Sequence, residues 1–252
     1  MRLAAIYNVW DGEELLKGSI KQIYDHVDIV VIVWQRQSNF GEDNPNVKEV
    51  VNYLNETLAN VCLIEYVYEP QKGGTENEKA KRWQGIEAAR KLSCSHFIFM
   101  DCDEYYNSEQ FAAAKQYVLD NDLDTSACKL YTYYKKPIYQ LTPMEGYYVP
   151  FICKTSCHGI GGFPVYADPT RGVYPTGKFK EIPLTLCAMH HYSYIRKDIG
   201  RKLRNSSAKV NWAHKIPDYI RMFEYWQPGE PMVNFDKFSV VEVENQFNID
   251  IG

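Results

Sequence analysis

The stretch SHFIFMDCDEYY, residues 95–106, passes from a continuous apolar run into a cluster of acidic residues. Its first half, Phe97–Met100, contains no polar residue, which is typical of a strand buried on both faces of a parallel sheet. Asp101, Asp103 and Glu104 follow at once. Two interpretations are open: an acidic turn that only ends a buried strand, or a cation site at the strand's carboxyl end.

The residues upstream predict a strand, a helix and a second strand. LAAIYN at 3–8 and DIVVIVW at 28–34 are strand-like, and the second run is rich in β-branched residues. EELLKGSIKQIY at 13–24 places its leucine and isoleucine residues on one helical stripe, with Asp11 as the expected N-cap. This order predicts a right-handed βαβ unit and therefore an α/β sheet.

The rest of the chain continues the alternation and then loses it. We expect helices at 47–59, 75–92 and 108–120, and strands at 61–69, 96–100, 127–134, 146–155 and 184–196. Thr75 and Glu78 form a possible capping box for the second of these helices. From residue 156, glycine and proline residues predict a loop-rich segment that covers a site, and a basic helical part follows the last of these strands. The predicted fold class is α/β, with a mostly parallel central sheet flanked by helices.

Size and composition limit the class of protein. A chain of 252 residues fits one domain, 1–252, and a net charge of −4 argues against a general polyanion binder. The sequence contains no apolar run of transmembrane length and no recognisable signal peptide. With seven scattered cysteines and no secretion signal, we expect a reducing compartment and a cytoplasmic location.

The acidic cluster has the chemistry of a metal and phosphate site. Ligands of open α/β sheets bind beyond the carboxyl ends of the strands, where Asp101 and Asp103 are expected. Residues two apart in an extended chain point to the same side, and two such carboxylates repel each other unless a cation separates them. Mg²⁺ and Mn²⁺ take oxygen ligands and share them with substrate phosphates. The pattern therefore favours a metal-bridged phosphate site.

Three segments carry a resemblance to a known family. KRWQGIEAARKLSCSHFIFMDCDE at 81–104 resembles family 2-like glycosyltransferases of the GT-A fold, in which an Ala-Arg-Asn-x-Gly-Ile helix precedes a strand ending in Asp-x-Asp. Arg82, Gly85 and Ile86 match this pattern, and Trp83 replaces the usual asparagine. The first strand and helix, and MHHYSYIRKDIGRK at 189–202, are also similar to that family. The second strand departs from it, because VIVWQRQS at 31–38 has no acid to read the nucleotide.

The resemblance implies a metal-dependent transferase that moves a sugar from a nucleoside diphosphate to an acceptor. Residues 1–106 would bind the nucleotide-sugar, and residues 107–252 would hold the acceptor and the C-terminal helices. The acceptor is left open among glycan, lipid-linked, protein and nucleobase classes. The expected nucleotide-sugar ligands are Tyr7, Asn8, Asp11, Arg82, Asp101 and Arg196. The expected ligands of Mn²⁺ or Mg²⁺ are Asp101, Asp103 and His191, with His190 in reserve.

Several roles stay open at this stage. An inverting transferase needs a carboxylate base, for which Glu145, Asp168 and Glu181 are the candidates, whereas a retaining mechanism would need none of them in that role. Arg196 and Lys202 belong to a basic run that either binds the leaving diphosphate or forms a solvated helix face. Asp11 is either a nucleoside ligand or only a helix cap.

Two other functions compete with glycosyl transfer. A nucleotidyltransferase also uses an α/β sheet with acidic metal ligands, but the acidic segment YNVWDGEE at 7–14 lacks the glycine-rich basic loop of that class. A non-catalytic carbohydrate-binding module is the remaining alternative.

Overall fold

The computed structural model describes residues 1–206, 209, 213–230, 232 and 238–251. The strands are β1 (Leu3–Val9), β2 (Ile29–Trp34), β3 (Val61–Glu65), β4 (His96–Asp101), β5 (Glu104–Tyr105), β6 (Thr125–Cys128), β7 (Leu130–Tyr134), β8 (Tyr139–Thr142), β9 (Val149–Lys154), β10 (Phe179–Glu181), β11 (Met189–Tyr194) and β12 (Ser239–Glu242). The helices are α1 (Glu13–Ile23), α2 (Val47–Thr57), α3 (Gly73–Lys91), α4 (Ser108–Asp120), α5 (Ile199–Asn205) and α6 (Ile216–Tyr225).

The larger sheet has the strand order β10-β6-β9-β4-β1-β2-β3. Strands β4, β1, β2 and β3 are parallel, and β9 runs antiparallel to both β4 and β6. Asn8 at the end of β1 lies opposite Asp101 at the end of β4. The carboxyl ends of the two central strands therefore meet at one point, where ligands of such sheets bind.

Alternate residues of the central strands pack on opposite faces of the sheet, as a strand period of two requires. Tyr7 and Met100 belong to the core on the side of α1, α2 and α4, whereas Ile6 and Phe99 pack on the side of α3. Helix α3 approaches the sheet closely at Gly85, because a Cβ atom built there would lie 2.2 Å from Cγ2 of Ile6. The glycine thus allows a helix–sheet contact that a larger residue would obstruct.

The smaller sheet has the order β12-β8-β7-β11-β5 and borders the end of β4. Strand β5 follows the acidic cluster directly and pairs antiparallel with β11, with Glu104 opposite His191. The backbone N–H of Tyr192 also donates to the carbonyl oxygen of Asp103, at 2.8 Å. Backbone pairing therefore sets the position of β11 beside the acidic turn.

The structure confirms the α/β class, with a mostly parallel central sheet flanked by helices. The single strand expected at 127–134 is two strands, because the chain passes at Lys129 from the larger sheet into the smaller one. Three short strands, β5, β8 and β10, were not expected from the sequence. In the described part of the chain, no helix combines the length and hydrophobicity that crossing a bilayer requires.

Both expected helix caps are wrong. Gly12, with φ of 80°, occupies the N-cap of α1, and Asp11 makes no capping hydrogen bond. Helix α3 starts at Gly73, so Thr75 falls inside its first turn and cannot form the expected capping box. Asp11 thus lies one residue before the N-cap of α1, and Thr75 lies two residues after the start of α3.

Candidate active site

A cavity of about 320 Å³ opens at the carboxyl ends of β1 and β4. Most of the candidate residues from the sequence line it: Asn8, Asp11, Asp101, Asp103, Glu145, Asp168, His191 and Arg196. Residues from both expected halves of the chain therefore surround one cavity. Its volume is within the range of small-molecule sites.

Asp101 is held by arginine side chains on the side that faces α3. Both of its carboxylate oxygens accept from Nη2 of Arg82 at 3.0 Å, and Arg171 lies 3.7 Å away. Burial opposes ionisation of Asp101, but Arg82 and Arg171 outweigh it and lower the pKa of the carboxyl group. Asp101 is therefore ionised, and part of its side chain lines the cavity.

Arg82 lies beneath the cavity rather than in it. Its side chain is 1% exposed and bridges Asp101 to Glu78, the latter at 3.0 Å. The ion pair between Arg82 and Asp101, the first aspartate of the motif, thus explains why Arg82 matches the family pattern. Arg82 does not line the cavity, so its expected contact with a nucleotide stays a prediction, and what the structure shows is its contact with Asp101.

Tyr7 also lies away from the cavity. Its ring is fully buried in the core on the α1 side, and its hydroxyl group forms a hydrogen bond with Oγ of Ser19 at 3.0 Å. Neighbouring strand residues point to opposite faces, so Asn8 and Tyr7 could not both face one ligand from a regular strand. Tyr7 is not among the residues that line the cavity, and its expected nucleotide contact stays a prediction.

Asp103 is buried and surrounded by basic groups. Its Oδ2 atom accepts from Nη2 of Arg196 at 2.5 Å and from Nζ of Lys202 at 3.2 Å, and Nε2 of His191 lies 3.7 Å away. Burial alone would raise the pKa of the Asp103 carboxyl, but Lys202 and Arg196 hold it well below its usual range. The second aspartate of the motif is therefore a fixed anion at the cavity wall.

The two adjacent histidines face opposite ways, as strand alternation requires. His191 lines the cavity, and its Nδ1 atom has no hydrogen-bond partner among the described residues. Burial lowers the pKa of His191, which favours the neutral imidazole that binds metals. His190 instead contacts the hydroxyl group of Tyr133 at 2.7 Å, on the other face of β11.

A three-ligand metal centre does not form here. Within the described ranges, no three histidine, cysteine, aspartate or glutamate side chains make a group that could hold a metal ion. Asp103 and His191 do come together, and a hard divalent ion often uses one or two protein ligands and completes its shell with substrate phosphates and water. The residues present therefore fit Mn²⁺ or Mg²⁺ as a two-ligand site, without the third contact expected from Asp101.

Asp11 belongs to the cavity rather than to a helix cap. Its Oδ1 atom lies 3.2 Å from Nε of Arg201, and its Oδ2 atom lies 3.6 Å from Nε of Arg196. Oδ2 of Asp11, Oδ1 of Asn8 and Oε1 of Gln35 are buried without a hydrogen-bond partner in the described chain. Buried acceptors normally have donors, so these oxygen atoms indicate a place for N–H or O–H groups of a ligand.

Asp168 and Glu145 reach the cavity from loops. Oδ1 of Asp168 accepts from the backbone N–H and the hydroxyl group of Thr170, both at 2.7 Å, which fixes the carboxylate in its turn. Glu145 adds to the burial that raises the pKa of Tyr147, and it acts electrostatically on His191. Both carboxylates are therefore placed where an acceptor could lie.

Arg171 is a residue of this site that was not predicted from the sequence. Its guanidinium group is 4% exposed, contacts both carboxylate oxygens of Glu104 and donates to the carbonyl oxygen of Phe99 at 2.9 Å. It lies in the loop-rich segment, which has no periodicity to locate an inward-facing residue. Gln35, in place of the acid expected after β2, and Lys81 on α3 also line the cavity.

No family model and no curated protein matches the chain by sequence. Comparison of structures, in contrast, found similar proteins. The crystal structure of S. aureus TarS 1–349 is similar, with a TM-score of 0.50 and 12% identity over 89% of this chain and 72% of that chain.

Two further structures are similar at lower scores. TarS 1–349 in complex with UDP has a TM-score of 0.46 and 12% identity over 89% of this chain and 72% of that one. Mannosyltransferase PcManGT from Pyrobaculum calidifontis in complex with GDP-Man and Mn²⁺ has a TM-score of 0.37 and 16% identity over 54% of this chain and 36% of that one. The chain covers 44% of the longer TarS structure.

Identities this low establish the fold and leave the activity to the chemistry of the site. The chain has a GT-A-like glycosyltransferase fold.

Proposed function

We propose that the chain is a glycosyltransferase that moves a sugar from a nucleoside diphosphate to an acceptor in this cavity. One observation carries the proposal: basic side chains line the cavity around the two aspartates at the end of β4. They are Lys81, Arg171, Arg196 and Lys202. A cluster of this kind fits a diphosphate, whose negative charge grows as the sugar leaves.

The buried acceptors near β1 and β2 suit the nucleoside. Oδ1 of Asn8 and Oε1 of Gln35 have no hydrogen-bond partner among the described residues, and both side chains line the cavity. Each would accept a hydrogen bond from a base N–H or a ribose hydroxyl group. Gln35 thus takes the position at the end of β2 where the resembling family has an acid.

The diphosphate would lie against Arg196 and Lys202. Both already pair with Asp103, and Arg196 also donates to two backbone carbonyl oxygens, so the positive charge of Arg196 is fixed in the cavity before a ligand arrives. Preorganised positive charge lowers the barrier because it needs no rearrangement when the leaving group separates. Mn²⁺ or Mg²⁺, held by Asp103 and His191, would supply further positive charge to the same phosphates.

Asp168 is the proposed general base of an inverting transfer. The acceptor hydroxyl oxygen attacks the anomeric carbon of the sugar, its proton passes to the Asp168 carboxylate, and the nucleoside diphosphate leaves. The contacts from Thr170 fix Oδ1 of Asp168 and leave its other oxygen for the acceptor. Glu145 is the second candidate for this role and lines the same cavity.

Thermal unfolding with a panel of nucleoside diphosphates and their sugars tests donor binding. A matching nucleotide at 100 times its dissociation constant should raise the melting temperature by roughly 5–10 °C. Substitution of Asp103 by asparagine should remove most of that increase. If no nucleotide or nucleotide-sugar stabilises the wild-type chain, with or without Mn²⁺, the proposed function is wrong.

A pair of matched variants tests the base. Asp168→Asn should keep the nucleotide-induced increase in melting temperature but slow sugar transfer or donor hydrolysis by roughly a hundredfold or more. Glu145→Gln makes the same change of charge on the other loop and should have a smaller effect. If the two variants respond in the reverse order, Glu145 is the base.

A further inference from the structure

Two of the cations around Asp103 differ in how firmly they are held. Besides its bond to Asp103, Arg196 donates through Nη1 to the carbonyl oxygens of Tyr192 and Ile195, at 3.3 and 3.1 Å. Within the described chain, Nζ of Lys202 makes one hydrogen bond, to Oδ2 of Asp103, and its side chain is 25% exposed. Arg196 is therefore part of the wall of the cavity, whereas Lys202 can leave.

We propose that Lys202 and a divalent cation are alternative partners of Asp103, so that Lys202 weakens metal binding while no nucleotide is present. The inference rests on the proposed function, since it concerns the cation that accompanies the donor diphosphate. It goes beyond that function because it assigns one lysine to control when the metal binds.

Geometry makes the two partners exclusive. A Mg²⁺ ion would bind a carboxylate oxygen at about 2.1 Å. Oδ2 of Asp103, the oxygen that also faces His191, already accepts from the fixed Arg196 and, at 3.2 Å, from Nζ of Lys202, so its two acceptor positions are taken and a metal ion can bind this oxygen only where Lys202 has left. A divalent ion shared by Asp103 and His191 would be close to the ammonium group, and charges of the same sign repel strongly at a site shielded from water.

Helix α5 can stay in place while the lysine side chain moves. Arg201 pairs with Asp11 at 3.2 Å, and Nδ2 of Asn205 donates to Glu42 at 2.7 Å. These contacts hold the helix independently of Lys202. The lysine stem has rotatable bonds throughout, so its ammonium group can turn from Asp103 toward phosphate oxygens in the same cavity.

Titration with Mn²⁺ alone, in the absence of any nucleotide, tests the proposal. Free Mn²⁺ is measured by electron paramagnetic resonance in the wild-type chain and in Lys202→Met, Lys202→Arg and Lys197→Met. Lys202→Met should bind Mn²⁺ roughly tenfold more tightly than the wild type, because it keeps the length of the side chain and removes its charge. Lys202→Arg should remain close to the wild type.

Lys197→Met is the matched control. Lys197 is exposed just before α5, and its loss changes the net charge by the same amount without touching Asp103. It should leave Mn²⁺ affinity within about twofold of the wild type, since exposed charges are screened by salt. Circular dichroism checks that all variants are folded.

Two results would overturn the proposal. One is equal Mn²⁺ affinity in Lys202→Met and Lys197→Met. The other is the absence of Mn²⁺ binding in Lys202→Met while that variant is folded. Neither result bears on whether a nucleotide-sugar binds, which the thermal-unfolding panel decides, so failure of this inference and failure of the proposed function are distinguishable.

Discussion

Substitution of Gly85 by alanine tests how the helix that holds Asp101 is seated on the sheet. An added Cβ atom would lie 2.2 Å from Cγ2 of Ile6 and 3.2 Å from Cγ2 of Val33. Carbon atoms in contact are normally about 3.5–4.0 Å apart, so α3 and β1 would have to separate by about 1.3 Å or more at this point. Ile6 is fully buried and β-branched, which leaves it little freedom to yield.

The expected change in the free energy of unfolding combines two opposing effects. Overpacking a core costs about 1–3 kcal/mol, whereas replacing glycine by alanine inside a helix gains up to about 1 kcal/mol. We therefore expect Gly85→Ala to be about 1–2 kcal/mol less stable than the wild type. The same shift of α3 would lengthen the 3.0 Å contact between Arg82 and Asp101, so nucleotide affinity should fall as well.

Urea unfolding followed by tryptophan fluorescence measures the stability change. Gly146→Ala is the control, because a Cβ atom there meets nothing within 4 Å, and its stability should stay within about 0.5 kcal/mol of the wild type. Ile6→Ala combined with Gly85→Ala should be less destabilised than the sum of the single variants, because removal of Cγ2 relieves the contact. A Gly85→Ala variant as stable as the wild type would refute the steric argument.

Two further predictions concern buried ionisable groups. Arg171→Met should lower the free energy of unfolding by about 3 kcal/mol or more, because it leaves the fully buried Glu104 without its charged partner. Arg221→Met removes an ion pair whose side chains are 71% and 62% exposed. It should change the free energy of unfolding by less than about 1 kcal/mol in the same urea titration. Burial lowers the pKa of His190 from 6.5 to about 4, so the unfolded chain takes up a proton between these values and the native state does not. Stability is therefore lost as the pH falls from 6.5 toward 4, by up to roughly 3 kcal/mol for this residue, and His190→Gln should flatten that part of the curve.

The controls for these two predictions are simple. An equal cost for Arg171→Met and Arg221→Met would show that the buried pair adds little beyond an exposed one. His158→Gln, at an exposed position, should leave the acid limb of the stability curve unchanged. If His190→Gln gives the same slope as His158→Gln, the histidine is not kept neutral by burial.

The fold and the acidic turn could be predicted because their signals are local. A continuous apolar run indicates a buried strand, and Asp101 and Asp103, which follow it directly, indicate where that strand ends. The alternation of strands and helices then limits the topology to a parallel sheet whose strand ends meet. These inferences needed no knowledge of which distant segments touch.

The partners of the acidic turn could not be predicted in the same way. Arg171 reaches Glu104 from a segment without periodicity, and whether Lys202 faces the cavity or the solvent depends on the packing of α5. Tyr7 lies in the core and Asn8 lines the cavity, because neighbouring strand residues point to opposite faces of the sheet. Arg82 was recognised by its sequence pattern, yet the pattern does not distinguish a ligand from a residue that orients one.

The smaller sheet bears on the order in which the chain folds. Its pairs join distant segments, Tyr105 with His190 and Tyr139 with Glu242, whereas β1 and β2 are linked through a single helix. Loop closure delays pairs of this kind, so the βαβ part of the chain should form before β11 arrives. The cavity acquires His191 and Arg196 only in that late step. A nucleotide that needs both residues binds only a chain in which β11 has docked, so it should slow unfolding more than it speeds folding.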